Sequence, residues 1–470
     1  MRLSIHLLVG AVFLGGIALA LSLPATSFGQ GREVRPERAD TSSIIGDDRI
    51  PGQYIVVFKD SLQDVDAAEA DISSRVRGER FGSYRFALRG FSAQLSDADL
   101  EAVKSDPRVA FVSEDRIVSI DERALRPPRD ERPTRGSRES AGSIETLSHN
   151  VSAQAQTLPT GIDRIDAEGL ANTGAGVNVA VIDTGILSTH PDLSGKVVGG
   201  KNCTRASGGY KDQNGHGTHV AGTIAASYNT QGVVGVAPGA KLWSVRVLDR
   251  NGYGTWSSVI CGLDFVTSKA PANGGPIKVA NMSLGGGGVS DNNCGKNTAG
   301  PGSNDALHKA ICRARDAGVT IVVAAGNSGA DATGFVPAAY DDAVITVSAL
   351  ADSDGQPDGL GAGTSYGADD TFASFSNYGA PVDIGAPGVS IYSTWLSNGY
   401  ATLSGTSMAS PHVAGAAALY IAKNPKALWS EVRETLVSPL RSEALGAGHT
   451  DPSADPPGKH PEPVLRADTL

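Results

Sequence analysis

Leu403-Ser404-Gly405-Thr406-Ser407-Met408-Ala409-Ser410-Pro411-His412-Val413-Ala414-Gly415 decides how this chain is read. A Gly-Thr-Ser turn runs straight into small residues, and the pattern predicts a helix over Ser407–Ile421. The first N–H groups of a helix have no partner within it, and the helix dipole is positive at that end. A negatively charged oxygen forming beside Ser407 would therefore be stabilised. Taken alone, the serine is equally an ordinary helix cap.

Three further glycine-flanked segments change that balance. Val179-Ala180-Val181-Ile182-Asp183-Thr184-Gly185 is an apolar strand ending in a carboxylate. Functional groups of parallel sheets gather at the carboxyl ends of strands, although many such Asp residues only shape a turn. Asn214-Gly215-His216-Gly217-Thr218-His219-Val220-Ala221-Gly222 puts a histidine at a helix start with space around its ring. A metal site made of His216 and His219 lacks the carboxylate spacing of a zinc protease. Val322-Val323-Ala324-Ala325-Gly326-Asn327-Ser328-Gly329 ends a strand with an amide. Asn327 could donate to a developing oxyanion, or could be a turn residue. Each bland reading stands alone, but together, in the order Asp…His…Ser, they form a catalytic triad pattern.

From Gly161 onward short apolar strands alternate with helices. Strands are expected at Val177–Ile182, Lys241–Val247, Val279–Ser283, Val319–Ala324, Ala343–Val347 and Val382–Ile384. Helices are expected at Gly217–Ser227, Ser257–Thr267, Ser303–Asp316 and Ser407–Ile421. Near-continuous apolar strands separated by helices predict an α/β fold, a parallel sheet with helices on both faces.

The motifs resemble those of the subtilisin family of serine proteases (subtilases, S8), and within it the proteinase K-like branch. Asp183 in VIDTG, His216 in NGHGTHVAG and Ser407 in GTSMASPHVAG match its active-site motifs, and Asn327 in AAGNSG its oxyanion residue. The resemblance runs from about Leu158 to Lys423 and implies a subtilisin-like fold and peptide-bond hydrolysis through an acyl-enzyme, with no cofactor for the chemistry. Asn281-Met282-Ser283-Leu284-Gly285-Gly286 and Asn251-Gly252-Tyr253-Gly254-Thr255-Trp256 resemble the segments that clasp substrate as an antiparallel strand. The substrate-binding residues it implies are Gly252, Gly254, Trp256, Ser283, Leu284 and Gly285, with Trp256 walling an apolar subsite or lying in the core. Neither segment offers an acid for basic side chains, so broad cleavage with an apolar or aromatic preference is expected. The resemblance also implies a structural calcium site at Asp383 with the backbone oxygens of Asp341 and Ala343, although solvated loop acids would look the same. The loop Ala351-Asp352-Ser353-Asp354-Gly355 is too short a signal to assign.

Gln53 to Ile120 reads as β-α-β-β-α-β, a small α+β ferredoxin-like unit. Its strands are Gln53–Phe58, Ser83–Ala87, Phe91–Leu95, Val109–Ser113 and Ile117–Ile120, and its helices Asp64–Arg75 and Asp97–Ser105. It is similar to the I9-type inhibitory prodomain of the family, which assists folding and then blocks the active site with its C-terminal tail. The chain's own prodomain is thus expected as an intramolecular inhibitor, with processing between Ile120 and Pro159, nearest Ser143–Val151.

The rest of the chain sets the context. It has 470 residues, a net charge of −10 and 58 glycines. An acidic balance argues against nucleic-acid partners, and aromatics at 6% argue against aromatic-platform binding. Residues 1–29 read as a signal peptide, with Arg2, an uncharged run from Leu3 to Leu23, and small Ala25 and Ser27. A retained anchor is the alternative, the run being just long enough at roughly 20 residues. Export implies an oxidising compartment. The pairing Cys294–Cys312 closes a short Gly/Asn-rich loop onto a helix and leaves Cys203–Cys261; free thiols or a single bridge are the alternatives. The expected layout is a prodomain at 50–120, a low-complexity linker at 121–156, a catalytic domain at 157–423 and a tail at 424–470. In the linker Arg123, Arg126, Arg129, Arg132, Arg135 and Arg138 recur every third residue, matched by acids. The expected protein is a secreted, monomeric serine endopeptidase made as a zymogen. Its rivals are an inactive protease fold used for binding and a processing enzyme with one dedicated substrate.

Overall fold

Strand β1 (Arg49–Phe58) is buried on both faces at its end, and its two faces belong to different cores. Val56 and Phe58 pack with Val65, Ile72, Leu100 and Val103 from two helices. Ile55 and Val57, on the opposite face by the two-residue period of a strand, join Leu263, Ile260 and Leu284 of the following domain. The computed structural model describes residues 48–120, 155–357, 359–438, 442–443 and 462–470. The expected signal peptide, most of the linker and much of the tail lie outside the described residues.

The N-terminal unit continues with α1 (Val65–Arg75), β2 (Arg80–Tyr84), β3 (Gly90–Gln94), α2 (Asp97–Lys104) and β4 (Val109–Ser119). Asp64 caps α1 by accepting from Ala67 N at 2.8 Å, and Ser96 caps α2 by accepting from Asp99 N at 3.2 Å. The strand order is β2-β3-β1-β4, all antiparallel. Two expectations shift. β2 ends at Tyr84 because the next three N–H groups turn to a carboxylate of the following domain. The separate strands expected at Val109–Ser113 and Ile117–Ile120 are one continuous strand.

The second unit begins with α3 (Thr160–Arg164), β5 (Asn178–Asp183), β6 (Val197–Asn202), α4 (His216–Ala225) and β7 (Lys241–Arg246). Then follow β8 (Tyr253–Thr255), α5 (Trp256–Ser268), β9 (Ile277–Met282), β10 (Gly286–Gly287), α6 (Ala306–Asp316), β11 (Thr320–Ala324) and β12 (Phe335–Val336). The chain closes through β13 (Ile345–Ala351), β14 (Thr371–Phe372), β15 (Ile384–Pro387), β16 (Ile391–Thr394), β17 (Tyr400–Leu403), α7 (Thr406–Lys423), α8 (Trp429–Leu436), β18 (Ser442–Glu443) and β19 (Val464–Leu465). The central strands run β15-β13-β11-β9-β5-β7-β6, every neighbouring pair parallel. Alternate residues of one strand serve the two faces. Val179 and Val181 of β5 pack with α4 and α7, while Ala180 and Ile182 pack with α5 and α6. This is the subtilisin-like sheet with helices on both faces. In the tail, Leu465, Ala467 and Leu470 are buried in the first of these cores. The disulfides are Cys203–Cys261 and Cys294–Cys312, the pairing the sequence favours. No helix among the described residues is long and apolar enough to cross a membrane.

Two carboxylates join the units reciprocally. Asp264 Oδ1 in α5 accepts the N–H groups of Arg85, Phe86 and Ala87 at 2.9, 2.6 and 2.9 Å. Asp115 in β4 accepts from Ser257 N at 3.0 Å and from its hydroxyl at 2.5 Å, and so caps the start of α5. Burial raises the pKa of both acids, opposed by these hydrogen bonds. Removing Asp264 strands three backbone donors, at about 1–3 kcal/mol for each buried group left unsatisfied. Hydrogen exchange on the full chain carrying Ser407→Ala should show Asp264→Ala accelerating exchange at Arg85–Ala87 while β5 and β9 stay protected. Unchanged exchange at Arg85–Ala87 would contradict this interface.

Candidate active site

Asp183 is the last residue of β5, and His216 opens α4. His216 Nδ1 lies 2.9 and 3.0 Å from the two oxygens of Asp183, and both side chains are buried. The carboxylate therefore fixes the ring, and by accepting at Nδ1 leaves Nε2 as the basic nitrogen. The sequence around the pair is small for a steric reason. A Cβ on Gly217 would stand 2.2 Å from Gly185 O and 3.1 Å from the Asp183 side chain. Only glycine lets the strand end and the helix start approach this closely.

Ser407 lies in the first turn of α7, and Pro411 lies inside the same helix. Proline has no N–H, so Ser407 O loses the helix donor four residues later. The Ser283 hydroxyl replaces it, donating to Ser407 O at 2.9 Å. Asn281 Nδ2 donates to Ser283 Oγ at 2.9 Å, and the Ser410 hydroxyl donates to Asn281 Oδ1 at 2.5 Å. The end of β9 is thus tied to the start of α7, and Ser407 Oγ lies 3.4 Å from Ser283 O. The sequence carried a signal of this contact in Pro411, whose meaning only the fold supplies.

Asn327 follows β11. Its Oδ1 accepts from Thr406 N at 2.8 Å and from the Thr406 hydroxyl at 2.9 Å. An N–H must face an oxygen, so the amide orientation is fixed and Nδ2 is left as a donor beside the Ser407 turn. Asp183, Ser283 and Asn327 all stand at or just past the carboxyl ends of parallel strands, where such sheets collect functional groups.

The expected substrate-binding residues form two rails, and β4 lies between them. Ile117, Val118 and Ser119 pair antiparallel with Thr255, Gly254 and Tyr253 of β8. On the same side Ile120 N donates to Gly252 O at 3.1 Å, and on the other side Ser119 and Gly285 exchange both backbone hydrogen bonds at 3.0 Å. A Cβ on Gly252 would stand 2.5 Å from the Ile120 side chain, and that glycine has φ 81°. Leu284 is buried in the core that includes Ile55 and Ile120. Trp256 is also buried there, with the Arg116 guanidinium 5.0 Å from its ring centre.

The other histidines of the motifs face backbone carbonyls. His219 Nε2 faces the carbonyls of Ile391 and Ala401 at 3.0 and 3.1 Å, and burial lowers its pKa to about 3. His412 Nδ1 faces Met408 O at 2.9 Å, and burial lowers its pKa to about 4. Both therefore stay neutral near pH 7. His308 and Asp342 lie near Cys294 and Cys312, but those sulfurs are joined to each other.

The calcium site expected at Asp341, Ala343 and Asp383 is corrected by Arg433, a residue of α8 that the sequence reading overlooked. Arg433 Nε donates to Asp383 Oδ1 at 2.6 Å, and its terminal nitrogens donate to Asp341 O at 3.0 Å and to Asp341 Oδ1. Asp383 Oδ2 accepts from Thr346 N at 2.8 Å. A fixed cation already satisfies these oxygens, so the residues present do not fit a calcium ion there. Burial first, against the pull of Arg433, brings the Asp383 pKa up to about 6.

On this parallel α/β sheet Asp183 and His216 form a buried carboxylate–imidazole pair, and Ser407 opens a helix of the same domain. The subtilase family model (peptidase S8) matches residues 174–451, and the peptidase inhibitor I9 model matches residues 53–121. The chain belongs to the subtilase family and is a serine-type endopeptidase with an I9 prodomain. It is 43% identical over 293 residues to subtilisin DY of Bacillus licheniformis, covering 60% of this chain and 92% of that one. It is 37% identical over 420 residues to an extracellular serine proteinase of Thermus sp., covering 83% and 84%. Among solved structures, a cold adapted subtilisin-like serine proteinase aligns with TM-score 0.52 and 36% identity, over 66% of this chain and 97% of that chain.

Removing one partner of a mostly buried ion pair strands the other charge, at a cost on the order of 3 kcal/mol. Arg433→Ala should therefore lower the denaturation midpoint of the full chain carrying Ser407→Ala by several degrees. A midpoint unchanged within one degree would show that the guanidinium does not hold this corner.

Proposed function

We propose that the chain is the secreted precursor of a broad-specificity serine endopeptidase whose own prodomain occupies the substrate groove. Ser407 Oγ attacks the peptide carbonyl, and His216 Nε2 takes its proton and later gives it to the leaving amine. Asp183 holds the ring and stabilises its charged form. Asn327 Nδ2 and the Ser407 N–H stabilise the oxyanion, and water then releases the acyl group from Ser407. Protein groups supply every step. Peptide substrates bind as the third strand between Gly252–Gly254 and Ser283–Gly285, and with no acid in either segment apolar or aromatic side chains are preferred over basic ones. The two disulfides and the apolar N-terminal run support export. The acidic charge speaks against nucleic-acid partners, and the chain acts as a monomer.

The observation that carries this reading is the position of β4. Ser119 stands opposite Gly285, antiparallel. Gly285 lies two residues after Ser283, whose carbonyl is 3.4 Å from Ser407 Oγ, so the antiparallel strand runs toward the serine. The first self-cleavage is therefore inferred at the bonds just after Ile120, at the near end of the expected range rather than near Ser143–Val151. Once cut, the prodomain stays as an inhibitor because its strand and the interface at Asp264 and Asp115 remain paired.

A fluorophosphonate probe and a peptide nitroanilide test the chemistry. Wild type should be labelled at Ser407 and hydrolyse the peptide, and Ser407→Ala should do neither. Asn327→Ala should lose about 10²–10³ in kcat with little change in folding. Hydrolysis surviving in Ser407→Ala, or labelling elsewhere, would overturn the assignment.

A further inference from the structure

Two groups of acids are treated differently by the fold. Asp341 and Asp383 have Arg433. Asp352, Asp354 and Asp369 have no such partner. One carboxylate oxygen of each lies within 4.8 Å of the others. No lysine or arginine among the described residues forms an ion pair with any of the three. The nearby Arg164 attracts Asp352 through space, but its Nε donates to Asp370 Oδ1 at 2.6 Å.

Asp352 is the informative member. It is 2% exposed, and its Oδ1 accepts from Gly355 N at 3.0 Å. Its Oδ2 is buried with no hydrogen-bond partner. A buried carboxylate oxygen without a donor is costly unless a proton or a cation meets it. Asp369, 6% exposed, accepts from Ser353 N, the Ser353 hydroxyl and Gly361 N at 2.8, 2.9 and 2.8 Å, which fixes its place. Asp354 is exposed and accepts from Gln356 N at 2.9 Å. Two oriented acids and one free to swing in make an all-oxygen set with a nominal charge of −3.

We propose that Asp352, Asp354 and Asp369 bind a calcium ion. Hard oxygen ligands select calcium or magnesium, and an irregular loop set suits calcium, which takes six to eight oxygens in flexible geometry, better than the strict octahedron of magnesium. Loop carbonyls and water complete the shell. The ion meets Asp352 Oδ2 and offsets the repulsion among the three carboxylates. It also fastens the start of the catalytic domain, because Gln356 Nε2 donates to Asp163 Oδ2 at 3.3 Å in α3.

The test uses the full chain carrying Ser407→Ala, stripped with chelator and titrated with calcium chloride by calorimetry, beside the same chain with Asp354→Asn. Asp354 is exposed, and asparagine keeps the oxygen that Gln356 N needs, so this variant folds. The Asp354→Asn chain should bind one calcium fewer per chain or bind it at least tenfold more weakly, and Asp352→Asn should do the same. Magnesium at the same concentration should not fill the site. Equal calcium stoichiometry and affinity in parent and Asp354→Asn would overturn the proposal. Equal filling by magnesium would overturn the assignment to calcium.

Discussion

Everything in this precursor depends on one strand that belongs to two sheets. β4 pairs with β1 inside the prodomain and with β8 of the catalytic domain. The prodomain sheet is therefore covered by its own helices on one face and by α5 on the other. Without the catalytic domain, Ile55, Val57, Tyr84 and Leu88 would face water. A unit of about 70 residues is only marginally able to fold alone, so that second face matters to its stability. The same contact lays Ser119 and Ile120 between the two glycine rails, so the proposed inhibition and the covering of the prodomain's second face would come from one surface.

The groove is narrow because backbone meets backbone. Glycines on both rails allow this, and the recognition of Ile117–Ile120 rests mainly on main-chain hydrogen bonds, a mode that tolerates varied side chains. The chemistry is held from behind. Asp183, Ser283 and Asn327 come from adjacent parallel strands, and Pro411 hands the Ser407 carbonyl to Ser283 instead of to the helix. Rigid elements thus supply every group around Ser407.

Local signals were the legible ones. The central strands except β6, the four long helices and the prodomain order follow from runs of Val, Ile and Ala with glycine at their ends. The motifs around Asp183, His216, Asn327 and Ser407 are short and carry their own geometry. β6 was missed because its Gly199 and Gly200 lower strand propensity; a Cβ at Gly199 would strike the Trp243 ring at 2.5 Å, a contact no local pattern announces. Arg433 was missed for the same kind of reason. It meets Asp383 across 50 residues of sequence, and only the docking of α8 brings a guanidinium where the resemblance implied an ion. Asp115 and Asp264 look like surface acids until the two domains are in contact. Val464 of the tail joins the sheet beside Gly385, a pairing that no local pattern announces.

The central claim is that the strand ending at Ile120 both fills the groove and sets the first cut. Intact mass and terminal sequencing of the purified protein, beside Ser407→Ala, test it most directly. The account predicts a wild-type fragment ending within two residues after Ile120 and an uncut Ser407→Ala chain. A first cut near Ser143–Val151 with the chain through Ile120–Glu122 intact, or identical cutting of both proteins, would contradict it.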